Sequence, residues 1–154
     1  MRPSAVEELT EGDPRDVVLE NARRKARAVE GDFVLACDTE VNVDGRVFGK
    51  PADEADAVRM LTELSGRKHV VLGGLVLRRR GRECEAIAAT DVHFRELEPG
   101  EIEDYVRTGE WQGRAGGYAI QGMGAALVER VDGDFWNVVG LPVAELVRLL
   151  KSPC

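Results

Sequence analysis

The chain contains no apolar run approaching the roughly 20 residues that a membrane-spanning helix needs. Its opening stretch, MRPSAVEELTEGD, is polar and acidic, so no secretory signal is expected either. No stripe of Lys and Arg offsets the net charge of −7, which argues against nucleic acid as a partner. The basic cluster Arg78-Arg79-Arg80 with Arg82 is centred on Gly81 and reads as a hairpin turn in solvent. Cysteine and histidine are sparse. Cys37, Cys84 and Cys154 have no metal-ligand spacing, and His69 and His93 lie far apart without a partner for a zinc site or a triad. Cys37 and Cys84 fall in strand-like runs and are expected as small buried hydrophobes in a reducing cytoplasm. There is no internal repeat and no linker. With 154 residues, the expectation is one domain that buries about two-thirds of its unfolded surface.

What is present is an interleaving of helical and strand patterns. Asp13-Pro14 starts a helix, as N-cap and first helical residue, that runs to Val29 before Gly31. A strand from Asp32 to Asp38 is expected to pair with a second from Val41 to Phe48, turning near Asp44-Gly45. A helix follows from Glu54 to Leu64, stopped by Gly66. Two long strands, His69 to Leu77 and Glu83 to Phe94, flank the Arg-Gly turn, and Pro99 opens a short helix to Thr108. Trp111 to Ala125 carries five glycines and neither a helical nor an alternating period, the mark of a functional or disordered loop. Ala126 to Val131 and Phe135 to Val139 read as another hairpin about Asp132-Gly133. Pro142 starts a last amphipathic helix. The pattern predicts an α/β fold: a mixed, twisted sheet with hairpins and flanking helices rather than a purely parallel one.

Few residues stand out as carriers of chemistry. Asp38 closes the apolar run Phe33 to Cys37, so its carboxylate is expected to emerge at a strand end beside the hydroxyl of Thr39. There it can hold a divalent cation or orient a water, or serve simply as a turn acid. Lys50, between Gly49 and Pro51 where the chain leaves the hairpin, suits phosphate oxygens or plain solvent. Lys25 sits among bases at the edge of the stripe marked by Ala22 and Ala26. Glu8 reads as a solvated acid in a polar segment. In Ala115-Gly116-Gly117-Tyr118-Ala119-Ile120-Gln121-Gly122 the glycines let backbone N–H groups approach a ligand, and Gln121 offers a donor and an acceptor to a base edge or ribose. Trp111 and Trp136 are either core residues or anchors for a partner.

Four segments, CDTEVNVDGRVFGKPAD, AVRMLTELSGRKHVV, AGGYAIQGMGA and VDGDFWNVVGLPVAEL, resemble in order and spacing the Maf proteins, nucleoside triphosphate pyrophosphatases first named as septum-formation inhibitors. The resemblance extends from Val6 to Leu150 and implies an ITPase/Maf-like fold over residues 1–154 as a single domain, short at its N-terminus. It implies that Asp38 engages metal and activates water, that Lys50 and Lys25 handle phosphate, and that Glu8 joins Asp38 at a Mg²⁺ or Mn²⁺ ion. It further implies that Gln121, with Thr39 and Arg114, binds substrate. The A-Y-x-I-Q-G form resembles the branch acting on dTTP and UTP. Implied with it are cytoplasmic clearance of unwanted or modified nucleotides and a homodimer.

Three departures from the family pattern are visible. The chain starts too late to contain the family's first strand and S-x-R-R turn, which leaves two expectations: a natural gene that is longer, or a reduced, non-catalytic nucleotide-binding relative. Arg114 stands where a Lys precedes A-G, exchanging a point charge for a planar fork. Gly73 or Gly74 stands where a Thr usually follows the strand that begins at His69.

Overall fold

The computed structural model describes residues 6–152. Helix α1 (Pro14–Arg27) begins where Asp13 accepts hydrogen bonds from the Arg15 and Asp16 N–H groups. Pro14 occupies a first-turn place that needs no donor. It ends at Arg27 with Ala28 as cap, short of the expected Val29. Strands β1 (Phe33–Val43) and β2 (Arg46–Phe48) turn on Asp44-Gly45, and β3 (Lys68–Arg79) and β4 (Arg82–Phe94) on Arg80-Gly81. Both pairs hold positive φ (51° and 80°, 50° and 76°), the backbone that matches the twist of flanking strands. Helices α2 (Glu54–Leu64) and α3 (Pro99–Arg107) lie where the apolar spacing places them. After β5 (Val128–Asp132) come α4 (Phe135–Val139) and α5 (Val143–Lys151).

The sheet has the order β2-β1-β3-β4-β5, and every pairing among the described residues is antiparallel. Side-chain alternation along β1 divides the core. Val34 and Ala36 point to α1 and pack with Ala22, Ala26 and Val76. Val41 and Val43 point to the other face, where Phe48, Leu61, Leu64, Val71, Tyr105 and Trp111 gather. On that face α5 sets Leu149 against Leu75 and Leu77.

The adjacent glycines of β3 are explained by this layering. Gly74 faces α1, and a Cβ there would stand 2.6 Å from the Val18 carbonyl oxygen. Gly73 faces α4, where a Cβ would collide with Asn137 Oδ1. Each missing side chain lets a helix approach one face of the sheet. The hydroxyl expected from the family pattern has no room here.

Several expectations are corrected. Asp38 is not at a strand end: β1 runs through it for eleven residues, with Asp38 opposite Gly74. Val41 to Val43 complete that strand rather than opening the next, so only Arg46–Phe48 pair back. Phe135 to Val139 is a helix, not a strand. Asp134 caps it by accepting from the Trp136 N–H, and Gly140 ends it at φ 123°. Within the glycine-rich stretch, Ala115–Gly117 and Met123–Leu127 form short 3₁₀ turns. Cys84 is not a free thiol but disulfide-bonded, which removes the cysteines as an argument for a reducing compartment. Cys154 lies outside the described residues. Trp111 is buried, whereas Trp136 is 57 % exposed. No helix of the described residues is long and apolar enough to cross a membrane.

Gly74→Ala is expected to lower unfolding stability by roughly 1–3 kcal/mol, because the obstacle is helix backbone and not a flexible side chain. Urea unfolding measures it, and an unchanged midpoint would show that α1 can shift without cost.

Candidate active site

Three elements bring the expected charged residues together. Lys25 projects from the last turn of α1, Asp38 from the α1-facing side of β1, and Glu8 from the segment before α1. The Lys25 ammonium pairs with Asp38 Oδ1 and with Glu8 Oε1, the latter at 2.8 Å. Glu8 Oε2 reaches Lys50 Nζ at 2.6 Å. Two acids and two ammonium groups thus form one chain of ion pairs in the order Asp38, Lys25, Glu8, Lys50. Glu8 is not the solvated acid that its local sequence suggests. Asp38 is only 4 % exposed and Lys25 19 %, so this is not a surface pair of negligible value.

The electrostatics follow from that burial. Burial alone would raise the Glu8 pKa, but hydrogen bonds from Lys25 and Lys50 outweigh it and hold the carboxyl below its ordinary value. For Lys25, burial favours the neutral amine, while Asp38 and Glu8 prevail and raise its pKa. Glu40, two residues beyond Asp38 on the same face of β1, is pushed up to about 8 by burial and by the charges of Asp38 and Glu8. It neighbours the buried charge cluster without lining the cleft, and the sequence reading missed it. Strand alternation is the signal that could have found it.

The cluster opens on a cleft of about 210 Å³ lined by Lys25, Asp38, Thr39, Lys50, Arg114 and Gln121. Beyond the three residues that pair with β2, the outer edge of β1 has no partner strand among the described residues. The cleft crosses this edge and takes side chains from both faces of the strand. Its far wall is the glycine-rich stretch together with Val138, Val139 and Gly140. Gly116, at φ 68°, lies so close to β1 that a Cβ would come within 2.9 Å of Val41, and its N–H donates to the Gly49 carbonyl beside Lys50. The Glu110 carboxylate accepts from the Met123 and Gly124 N–H groups (3.0 and 3.3 Å). Tyr118 shares a 2.8 Å hydrogen bond with the buried His69, and both rings stack edge-to-face with Phe94. Gln121 stands exposed at the tip of this stretch. His69, Glu110 and Asn137, which bonds the Val71 carbonyl and Thr90 from α4, brace the wall without lining the cleft. Nothing local in the sequence marks them.

The donor set suits a hard cation. Asp38 Oδ2 is a buried oxygen without a hydrogen-bond partner, and divalent magnesium takes one or two carboxylates together with substrate phosphates. Among the described residues no group of three His, Cys, Asp or Glu side chains could hold a metal by itself. A metal here would share its ligands with a bound phosphate.

A buried acid, two ammonium groups and a planar guanidinium around one cleft have the chemistry to suit a phosphate-bearing ligand, beside a glycine-rich wall. The Maf-like protein family model matches residues 1–153, and the chain belongs to that family. It is 52 % identical to a dTTP/UTP pyrophosphatase of Anaeromyxobacter dehalogenans (strain 2CP-1 / ATCC BAA-258) over 98 % of this chain and 81 % of that protein. It is 46 % identical to one of Thermococcus gammatolerans, with 96 % and 81 % covered, and 41 % identical to one of Pyrococcus furiosus, with 98 % and 83 % covered.

Burial, and secondarily the charge of His93, lowers the His69 pKa to about 4. The folded chain therefore holds this imidazole neutral while the unfolded chain protonates it near 6.5. Stability is full above 6.5 and falls by up to roughly 3 kcal/mol as pH drops from 6.5 to 4. Thermal unfolding across that range should show this loss in the wild type and a flatter profile in His69→Gln. Equal slopes would place the acid sensitivity elsewhere.

Proposed function

We propose that this protein is a nucleoside triphosphate pyrophosphatase that hydrolyses dTTP and UTP between the α and β phosphates, releasing the monophosphate and pyrophosphate. The observation that carries this reading is the Asp38–Lys25–Glu8–Lys50 chain of charges, of which Asp38, Lys25 and Lys50 line the cleft. The named activity of its relatives supports the same conclusion.

In this reading Asp38 accepts the proton of the attacking water through its unpartnered Oδ2. Lys25 and Lys50 meet the negative charge that develops on phosphate oxygens, and Glu8 holds their ammonium groups apart at fixed positions. The Arg114 fork takes further phosphate oxygens, Thr39 adds a hydroxyl, and Gln121 reads the pyrimidine edge. The charges of the four residues in the chain cancel, so a polyphosphate brings an excess of negative charge. A Mg²⁺ or Mn²⁺ ion held by Asp38 and Glu8 would offset that excess and act as a Lewis acid. No covalent intermediate is required. The location that suits this chemistry is the cytoplasm, where nucleoside triphosphates circulate. The exposed Trp136, edge-to-face on Phe135, supports a homodimer through that surface.

Pyrophosphate release from dTTP and UTP with Mg²⁺ tests the reading. Asp38→Asn should lose turnover by about 10²-fold or more while melting as a folded protein. A chain that binds these nucleotides without releasing pyrophosphate, or an Asp38→Asn variant that keeps its rate, contradicts it.

A further inference from the structure

Glu8 occupies the middle of the charge chain, yet it lies on a stretch that is neither helix nor strand. Such a segment has no ladder to fix it and would wander by more than a hydrogen bond tolerates. Two side chains of α1 supply the missing restraint. Asn21, completely buried, accepts the Leu9 N–H through Oδ1 at 2.7 Å and donates from Nδ2 to the Leu9 carbonyl at 3.0 Å. It thereby satisfies both main-chain groups of one residue, as a neighbouring strand would. The Arg24 guanidinium donates to the Glu7 carbonyl at 2.9 Å. The residues immediately before and after Glu8 are therefore each fastened to the helix that carries Lys25.

The spacing makes this possible. Asn21, Arg24 and Lys25 stand at positions i, i+3 and i+4, which share one side of a helix. The side that holds the main chain at Glu7 and Leu9 is also the side that offers the ammonium to Glu8. Asn21 has a further role at its back, where Nδ2 lies 3.5 Å from Glu40 Oε1. Arg24 is braced by Glu20, 3.6 Å from its Nε.

We propose that Asn21 and Arg24 are positioning residues: they clamp the main chain on both sides of Glu8 and so hold its carboxylate between Lys25 and Lys50. The proposal rests on Glu8 belonging to the phosphate site. The clamp itself is a statement about the segment and can be judged without activity.

Two variants and two readouts test it. Arg24 is partly exposed, so Arg24→Ala should leave the fold intact; Asn21→Ala removes the buried half of the clamp. Hydrogen exchange at the Leu9 amide should accelerate about tenfold or more in both, including Arg24→Ala, which does not touch that amide. Turnover of dTTP should fall roughly tenfold in kcat for each in the wild-type background. In a Glu8→Gln background the same substitutions should cost less than about twofold, because the group they position is already lost. A general structural role would give equal losses in both backgrounds, and that result would overturn the proposal, as would unaltered Leu9 exchange in Arg24→Ala. If the wild-type chain releases no pyrophosphate from dTTP or UTP, the proposed activity fails, and Leu9 exchange in Arg24→Ala alone decides the clamp.

Discussion

The rest of this structure depends on the Lys25 ammonium resting between two carboxylates. An acid in the middle of a buried strand costs several kcal/mol unless it is paired, and Asp38 is such an acid. Its partner must come from the helix laid over that face of the sheet, and only a close helix can deliver it. The closeness is visible in Gly74, opposite Asp38, where even a methyl group would meet the backbone of α1. The Asp13 cap and Pro14 set where that helix begins, and so where Lys25 falls along it. Fold and site are therefore one constraint: the ion pair needs the bare strand, and the bare strand admits the helix.

Much of this was legible in the residues because it rests on local chemistry. The Asp13-Pro14 helix start and the Asp44-Gly45 and Arg80-Gly81 turns are short-range signals, and each lies where the sequence places it. What misled were runs whose composition is ambiguous. Asp38 looked like a stop because a charge in a strand is usually an end; here Lys25 lets the strand continue. Phe135 to Val139 is rich in β-formers, yet Asp134 caps it and Asn137 must reach Val71 and Thr90 in the core. Tertiary contact overrode propensity.

The charged residues of the cleft were named from sequence, but their arrangement was not. Glu8 reads as solvated because its neighbours are polar, and only the fold shows two lysines converging on it. Glu40, Asn21 and Glu110 escaped notice, and His69 was set aside for want of a partner, for a common reason. Each acts on main chain or on a side chain distant in sequence, and a one-dimensional pattern records neither. The glycine-rich stretch shows the same limit. Its glycines announce close approach, but not that Val41 and the Gly49 carbonyl are what they approach.

Charge balance explains how a third acid can sit in this cluster. Asp38 and Glu8 already match Lys25 and Lys50, so an ionised Glu40 would leave the buried cluster net negative. Its raised pKa, about 8, keeps it protonated near neutrality. The same burial and neighbouring charges that would make an ionised Glu40 costly thus remove the charge. In the proposed reading a polyphosphate approaches a cluster that does not repel it, and meets two ammonium groups held in place by their own partners. Attraction for the ligand and tolerance of buried acids come from one arrangement of four charges, and removing any one of them disturbs both.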